Sequence, residues 1–315
     1  MRPLRRLFQT LRLQTFCLLF ALFSLLCWTH TSAQEVVAVS QDDDEVIHVN
    51  TDLVVLNATV LDAKGKYVHG LGRSDFKVLE DGREQAISDF GVEETSFAVA
   101  VLMDTSGSMQ DRMTLARSAA IRFLDGLRTD DVAAIYHFNT EVVQVQDFSP
   151  NRDLSPLIYG LRAGGMTALN EAILQAADAL ARRPEKRRAI VVLSDGYNEG
   201  SGTPASKALD RALAAGANIY TVNMASTEPG AAPLAGAAAL KNFASKSGGR
   251  YVAISGGQGL RDAFAGIVEE LSNQYTLSYR PSNRARDGRW RSIQVKLSAP
   301  KITVRARQGY RAPKA

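Results

Sequence analysis

The chain has 315 residues, of which 45% are hydrophobic and 22% are charged, a composition typical of a folded protein with one large or two ordinary domains. Its formal net charge of +4 comes from the first 33 residues, which contain four arginines and no acidic residue. The remainder has 33 basic and 33 acidic residues and lacks the excess positive charge typical of nucleic-acid-binding proteins, so we expect no nucleic-acid partner.

The first 33 residues have the pattern of a signal peptide. Arginines precede the apolar run Phe16–Trp28, and the small residues Thr31 and Ala33 precede Gln34, where cleavage is expected. The alternative is an uncleaved membrane anchor, but the strongly apolar part is shorter than the roughly 20 residues that a membrane span needs. We therefore expect an extracytoplasmic protein, periplasmic or secreted, with the membrane as a partner only if this segment is uncleaved.

Both cysteines, Cys17 and Cys27, lie in this segment, so the mature chain has none. That excludes disulfides, cysteine-based zinc sites and thiol nucleophiles. The polar stretch 34–45 ends in the acidic run Asp42–Glu45. This run lacks the turn glycine and the ligand spacing of a Ca²⁺ loop, and we interpret 34–45 as an acidic linker.

Residues 46–95 have a β pattern. The dipeptide Asp81-Gly82 between the predicted strands 75–80 and 85–90 is typical of a hairpin turn. The β pattern returns over 273–315, and neither terminal segment has enough strands to form a stable sandwich alone. We therefore predict that 273–315 pairs with 46–95 in one β-sandwich.

Residues 96–272 instead alternate between apolar runs and segments with helical periodicity. Strands are predicted at 97–103, 132–138, 141–146, 188–194, 218–224 and 250–254, and helices at 111–127, 153–162, 169–182, 204–215, 234–247 and 258–272. Such alternation predicts an α/β fold with a doubly wound, mostly parallel sheet. The short Asn139-Thr140 connection predicts that 132–138 and 141–146 form a hairpin, which gives the sheet one antiparallel edge strand.

Three loops that follow predicted strands or precede a predicted helix carry oxygen ligands suited to a hard cation. Asp104, Ser106 and Ser108 alternate in the turn after a buried strand, Thr167 follows two glycines, and Asp195 directly follows another buried strand. Ligands of α/β sheets bind at the carboxyl ends of the strands, where we expect these loops to meet. Carboxylate and hydroxyl oxygens suit Mg²⁺, with Mn²⁺ or Ca²⁺ as alternatives.

Taken singly, each loop has a simpler interpretation. Thr167 is a possible N-cap of the helix at 169–182, Ser106 and Ser108 are possible caps of the helix near residue 111, and Asp195-Gly196 is a possible plain turn. The coincidence of all three loops favours the metal site.

The same residues carry a resemblance to the von Willebrand factor A domain over about 95–272. Asp104-x-Ser106-x-Ser108, Thr167 after Gly164-Gly165, and Asp195 before Gly196 resemble, in order, the five ligands of a metal-ion-dependent adhesion site. The flanking β segments and the ending Gly309–Pro313 are also similar to the VWFA-related acidobacterial domain family. The resemblance implies a cation that bridges to an acidic residue of a partner.

The charge of the site agrees with this implication. Two carboxylates and three neutral hydroxyls leave a divalent cation electrophilic, and a water ligand is displaceable by a partner's Asp or Glu carboxylate. The sequence therefore predicts a non-enzymatic, metal-dependent protein-binding module for adhesion or scaffolding. Two alternatives stay open: a metal-dependent phosphate-ester hydrolase, and a structural envelope subunit whose metal site is non-functional.

Overall fold

The computed structural model describes residues 53–92, 95–153, 155–225, 234–254, 256–299 and 301–314. All of them belong to one unit, Asn50–Ala315. The predicted signal peptide 1–33, the predicted linker 34–45 and the first residues of the predicted N-terminal β segment lie outside the described residues. None of the helices in the described residues combines the length and the apolar composition that a membrane span requires.

The described residues form fourteen strands, six α-helices and two 3₁₀ helices. The strands are β1 (Val54–Leu61), β2 (Phe76–Glu80), β3 (Arg83–Gln85), β4 (Ile87–Val92), β5 (Phe97–Asp104), β6 (Val132–Phe138), β7 (Val142–Ser149), β8 (Arg187–Ser194), β9 (Ala217–Asn223), β10 (Tyr251–Ala253), β11 (Gln274–Tyr279), β12 (Trp290–Leu297), β13 (Thr303–Arg305) and β14 (Gly309–Arg311). The α-helices are α1 (Met113–Asp125), α2 (Leu157–Gly160), α3 (Leu169–Ala181), α4 (Ala205–Ala214), α5 (Leu234–Ser247) and α6 (Gly256–Ser272), and the 3₁₀ helices are Arg73–Asp75 and Gly107–Arg112.

Six strands form the central sheet, in the order β10-β9-β8-β5-β6-β7. Every neighbouring pair is parallel except β6 and β7, which are antiparallel. The predicted doubly wound sheet with one antiparallel edge strand is therefore confirmed. Strand β5 lies inside the sheet between β8 and β6, and all eight of its residues are buried, as its continuous apolar sequence predicts.

Two hydrophobic cores cover the faces of this sheet, because successive residues of a strand point to opposite faces. Val99, Val101 and Met103 of β5 pack in the core that also contains the inward sides of α1 and α6. Ala98, Ala100 and Leu102 pack in the core that contains the inward sides of α3 and α4. The helices thus cover both faces, as the alternation of strand and helix patterns predicts.

The terminal β segments pair with each other in two four-stranded sheets, ordered β13-β1-β11-β4 and β14-β12-β2-β3. Each sheet contains strands from both ends of the chain, and side chains of both sheets share one hydrophobic core. The predicted β-sandwich is therefore present. The structure divides the second strand of the predicted hairpin into β3 and β4. Strand β3 pairs with β2, as the hairpin predicts, whereas β4 belongs to the other sheet and pairs with β11.

A buried polar cluster joins the sandwich to the α/β part of the chain. The carboxylate of Glu270 in α6 is 1% exposed. It accepts hydrogen bonds from Thr59 of β1 at 3.2 Å and from Tyr220 of β9 at 3.1 Å, and it forms an ion pair with Arg305 of β13. The carboxylate thus contacts side chains from both layers.

The helix predicted at 153–162 is shortened to α2, four residues long. Arg117 of α1 donates hydrogen bonds to the carbonyl oxygens of Ile158 and Leu161, at 3.1 and 2.5 Å. Leu161, which follows α2, has an extended backbone, and the segment continues as a loop whose carbonyls are bonded by a side chain from another helix. That loop leads directly to Thr167.

Candidate metal centre

The candidate site lies where the winding direction of the central sheet reverses. Strand β5 connects through α1 to its neighbour β6 on one side, whereas its other neighbour, β8, continues through α4 to β9 on the opposite side. The loops that leave β5 and β8 therefore diverge to opposite faces of the sheet and leave a crevice at the carboxyl ends of the two strands. Asp104 is the last residue of β5, and Asp195 follows the last residue of β8. Such a switch point is the usual ligand site of this class of fold.

The first loop holds the Asp104 carboxylate in a fixed orientation. Asp104 is fully buried; its Oδ1 accepts a hydrogen bond from the backbone N–H of Ser106 at 2.8 Å, and its Oδ2 accepts one from the Ser194 hydroxyl at 2.5 Å. The hydroxyls of Ser106 and Ser108 lie 3.2 Å apart, so either one can donate to the other. Ser106 precedes the 3₁₀ helix Gly107–Arg112 but makes no side-chain cap, so the capping interpretation of Ser106 is not observed.

The second loop is bonded to the first through the main chain. Gly164 N–H donates to the carbonyl of Thr105 at 2.9 Å, and Gly107 N–H donates to the carbonyl of Gly165 at 3.1 Å. Gly165 has a φ of +78°, which favours glycine, and a Cβ there would lie 2.6 Å from the Thr140 hydroxyl. The following Thr167 is buried. The N-cap residue of α3 is Ala168 rather than Thr167, so the capping interpretation of Thr167 is not observed either.

The third loop carries Asp195, which is also buried and whose Oδ1 accepts a hydrogen bond from Tyr197 N–H at 3.3 Å. The turn is pressed against the first turn of α5. A Cβ at Gly196, which has a φ of +86°, would lie 2.3 Å from the carbonyl oxygen of Gly236, and a Cβ at Gly236 would lie 2.3 Å from that of Asp195. Two glycines are therefore needed for the helix to approach the loop this closely.

Hydrogen bonds link the second and third loops as well, so the three loops are bonded pairwise. Gly200 N–H donates to the carbonyl of Thr167 at 2.9 Å, and Asn170 N–H donates to Asn198 Oδ1 at 2.9 Å. The structure therefore places all three predicted loops at one edge of the sheet. Four of the five predicted ligands, Asp104, Ser106, Thr167 and Asp195, are buried, and Ser108 is exposed.

The electrostatics of Asp104 fit a cation. Its pKa is raised from 3.8 to about 6, chiefly by burial and to a smaller extent by the negative charge of Asp195, while the hydrogen bonds from Ser106 and Ser194 act in the opposite direction. No positively charged side chain is among these main influences on the Asp104 pKa. Two carboxylates are thus close enough to repel each other at a buried edge, and a divalent cation there would relieve both the repulsion and the cost of burial.

The donor set also has the chemistry of a hard cation site, with carboxylate and hydroxyl oxygens only. Among the described residues, no group of three or more His, Cys, Asp or Glu side chains could hold a metal ion. The five predicted ligands do not form such a group, since only two of them are carboxylates and the other three are hydroxyls. That these five residues bind a metal stays a prediction.

Sequence reasoning missed the role of Ser194. Its hydroxyl donates to Asp104 Oδ2 and accepts a 2.9 Å hydrogen bond from Gly196 N–H, so it links the two carboxylate-bearing loops. The feature that could have indicated this role is the position of Ser194 as the last residue of a buried strand next to β5. The sequence pattern predicts a carboxylate from this loop but does not indicate a role for the hydroxyl before it.

The structure search finds solved structures that have low identity to this chain. A von Willebrand factor type A protein from Catenulispora acidiphila is 14% identical, with a TM-score of 0.48, over 85% of this chain and 75% of that one. An aerotolerance-related membrane protein from Bacteroides fragilis is 19% identical, with a TM-score of 0.45, over 56% and 98%. The vWF domain of the type V pili tip protein Mfa5 from Porphyromonas gingivalis is 14% identical, with a TM-score of 0.46, over 56% and 94%.

The comparison with curated proteins gives no match. The sequence pattern of the von Willebrand factor type A domain, in contrast, matches residues 98–264, just over half of the chain. This range begins in β5 and ends in α6, and it contains all three loops of the candidate site. The family match and the observed sheet topology agree. The chain belongs to the von Willebrand factor type A domain family.

Proposed function

We propose that this protein is an extracytoplasmic protein-binding module whose bound divalent cation bridges to an acidic residue of a partner. Mg²⁺ is the first choice, and Mn²⁺ or Ca²⁺ are alternatives. The cation would be held by Asp104, Ser106, Ser108, Thr167 and Asp195. The observation that carries the proposal is the buried Asp104 carboxylate, raised in pKa and repelled by Asp195, at the switch point of the sheet.

The charge of the ligand set supports recognition of a carboxylate. Asp104 and Asp195 together carry two negative charges, and the three hydroxyls add oxygen ligands without adding charge. A bound divalent cation supplies an electrophilic centre at which a partner's Asp or Glu oxygen replaces water. Ser194 and the N–H of Ser106 keep both Asp104 oxygens in place, so little side-chain freedom is lost when the site is loaded.

Exposed apolar side chains support a macromolecular partner. Met166, directly before Thr167, is 50% exposed. Val143, paired with His137 at the same end of the sheet, is also exposed, and so are Leu157 and Tyr159 of α2, on the segment that leads to Met166. A carboxylate contact flanked by apolar side chains is typical of protein–protein interfaces, in which a few central residues carry most of the binding energy. Export is supported by the predicted signal peptide alone.

We propose binding rather than catalysis because both oxygens of Asp104 accept hydrogen bonds from within the chain. An oxygen held in this way suits a ligand that stays in place better than a group that moves a proton. A phosphatase assay on a generic aryl phosphate, with Mg²⁺ and with EDTA, tests this directly. We expect no Mg²⁺-dependent hydrolysis, and turnover that Asp104→Ala abolishes would contradict the proposal.

The binding itself is tested by affinity capture from envelope extract with the full chain immobilised. Wild type, Asp104→Ala and the exposed-site control Asp125→Ala are each compared in Mg²⁺ and in EDTA. We expect a partner that wild type and Asp125→Ala retain in Mg²⁺ and release in EDTA, and that Asp104→Ala does not retain. Equal retention under all conditions would refute a metal-bridged contact.

A further inference from the structure

Three arginines line a small cavity on the β-sandwich, apart from the candidate metal edge. Arg280, Arg284 and Arg286 belong to the loop between β11 and β12 and line a cavity of about 110 Å³ together with Tyr310. The other described lining residues are Pro281, Asn283, Ala285, Ala312 and Pro313, so none of the described lining residues is acidic. The cavity is thus positively charged in a chain that is neutral outside its first 33 residues.

These three guanidinium groups differ from the other arginines of the same region. Arg291 pairs with Asp287 at 2.9 Å, and Arg311 pairs with Asp210 at 2.8 Å, so both are neutralised within the fold. Arg280, Arg284 and Arg286 are exposed and form no hydrogen bond or ion pair with another described residue. Three positive charges without a partner in the described part of the chain thus line one cavity, and this charge favours an anion from outside the chain.

The loop that presents the arginines is fixed at several points. Ser282 N–H donates to Gln85 Oε1 at 2.9 Å, and the Gln85 amide donates back to the Ser282 hydroxyl at 3.1 Å. Arg291 donates to the carbonyl of Ala285 at 3.3 Å. The lining residue Tyr310 is held in place as well, since its hydroxyl donates to the buried Glu80 at 3.0 Å. A loop ordered before the ligand arrives loses little entropy on binding.

We propose that Arg280, Arg284 and Arg286 form a binding site for a phosphate group. A cavity of 110 Å³ is small beside the roughly 300–1,000 Å³ of a drug-sized ligand site, so it fits a single compact group. Guanidinium forks bind phosphate through paired hydrogen bonds, and three of them match a group with several oxygens better than a carboxylate with two. The phosphate is carried either by a free ion or by a lipid headgroup.

The test is calorimetric titration of the full chain with inorganic phosphate at low ionic strength, in EDTA so that the candidate metal site is empty. The triple variant Arg280→Gln/Arg284→Gln/Arg286→Gln is compared with a control that loses the same charge at exposed positions, Lys64→Gln/Lys66→Gln/Arg73→Gln. Losing charge-assisted hydrogen bonds is expected to weaken phosphate binding about tenfold or more in the triple variant only. Asp104→Ala should bind phosphate like wild type, which separates this site from the metal site.

Vesicles distinguish the two sources of phosphate. Co-sedimentation with phosphatidylglycerol vesicles but not with phosphatidylcholine vesicles, lost in the triple variant, would identify a lipid headgroup. No binding of phosphate or of phosphatidylglycerol by wild type would overturn the proposal, as would equal losses in the triple variant and its control. Binding of poly-glutamate alone would overturn it too and would assign the arginines to an acidic protein. The single variant Arg284→Gln serves if the triple variant does not fold.

Discussion

The hydroxyl of Ser194 donates a 2.5 Å hydrogen bond to Oδ2 of Asp104, two residues that end neighbouring parallel strands and are 90 positions apart in the chain. This bond joins the two loops that carry the carboxylates of the candidate site. The same hydroxyl accepts from Gly196 N–H, so one side chain orients both loops. The geometry of the site therefore depends on a residue that is not itself a predicted ligand.

Replacing Ser194 tests this role. Ser194→Ala leaves Asp104 Oδ2 and Gly196 N–H without their partner, and the loss of buried hydrogen bonds is expected to lower the free energy of unfolding by about 1–3 kcal/mol. Removing a group that orients a metal ligand commonly costs about 10–100-fold in metal affinity, and we expect Mg²⁺ binding to weaken to that degree. The control Ser118→Ala removes an exposed helical hydroxyl and should change neither urea unfolding nor Mg²⁺ affinity.

The variant Asp104→Asn separates the stability that bound Mg²⁺ adds from the stability of the fold without metal. The variant keeps the shape of the side chain but removes a charge that burial disfavours, so without metal it should unfold at or above the wild-type temperature. The wild type, in contrast, should gain stability from Mg²⁺ by mass action, whereas the variant should not. Differential scanning fluorimetry in Mg²⁺ and in EDTA measures both. A Mg²⁺-dependent shift of equal size in the two proteins would refute the assignment of Asp104.

The close contact between Gly196 and Gly236 predicts a steric effect. Gly196→Ala places a Cβ in left-handed backbone and 2.3 Å from a carbonyl oxygen, so the loop or α5 must shift. Together, the two penalties predict a loss of about 2–5 kcal/mol in the free energy of unfolding. Gly202→Ala is the matched control, since Gly202 has an ordinary φ and nothing within 4 Å of its Cβ position. Similar denaturant midpoints for the two variants would contradict a close contact between the Gly196 loop and α5.

The junction between the sandwich and the α/β part predicts an asymmetry between two ion pairs. Arg305→Met leaves the buried Glu270 carboxylate without its cation and should cost about 3–5 kcal/mol. Lys186→Met breaks the pair with Asp89, in which both side chains are more than half exposed, and should cost under about 1 kcal/mol. Urea unfolding measures both. A loss in Arg305→Met no larger than that in Lys186→Met would contradict a supporting role for the junction.

The elements predicted most accurately are those with the strongest periodicity. The apolar run of β5 and the helical face of α3 were predicted within one residue, because burial alone determines both patterns. The elements that differ from the prediction depend on contacts between residues that are far apart in the sequence. The segment after α2 is a loop that Arg117 of another helix bonds, and β4 pairs with β11 in the other sheet instead of with β2. Nothing in the local sequence of either segment indicates such a partner.

For the candidate site, the sequence was sufficient to place three loops at one edge, because strand ends determine where loops emerge. The sequence did not indicate that Ser194 bonds Asp104, since the register between β5 and β8 decides which residues face each other. The basic loop 280–286 could be recognised as charged, but its cavity depends on the C-terminal residues Tyr310 and Ala312 folding back beside it. The pairing of β12 with β14 and the bridge between Asp287 and Lys314 bring those segments together.

We propose that Asp104 helps to hold a divalent cation at this edge of the sheet. Isothermal titration of Mg²⁺ into the EDTA-treated, dialysed full chain tests it most directly, with Asp104→Ala and the exposed control Asp125→Ala alongside. We expect wild type and Asp125→Ala to bind one Mg²⁺ with equal affinity, and Asp104→Ala to bind none. No binding by the wild type, or binding that Asp104→Ala leaves unchanged, would contradict it.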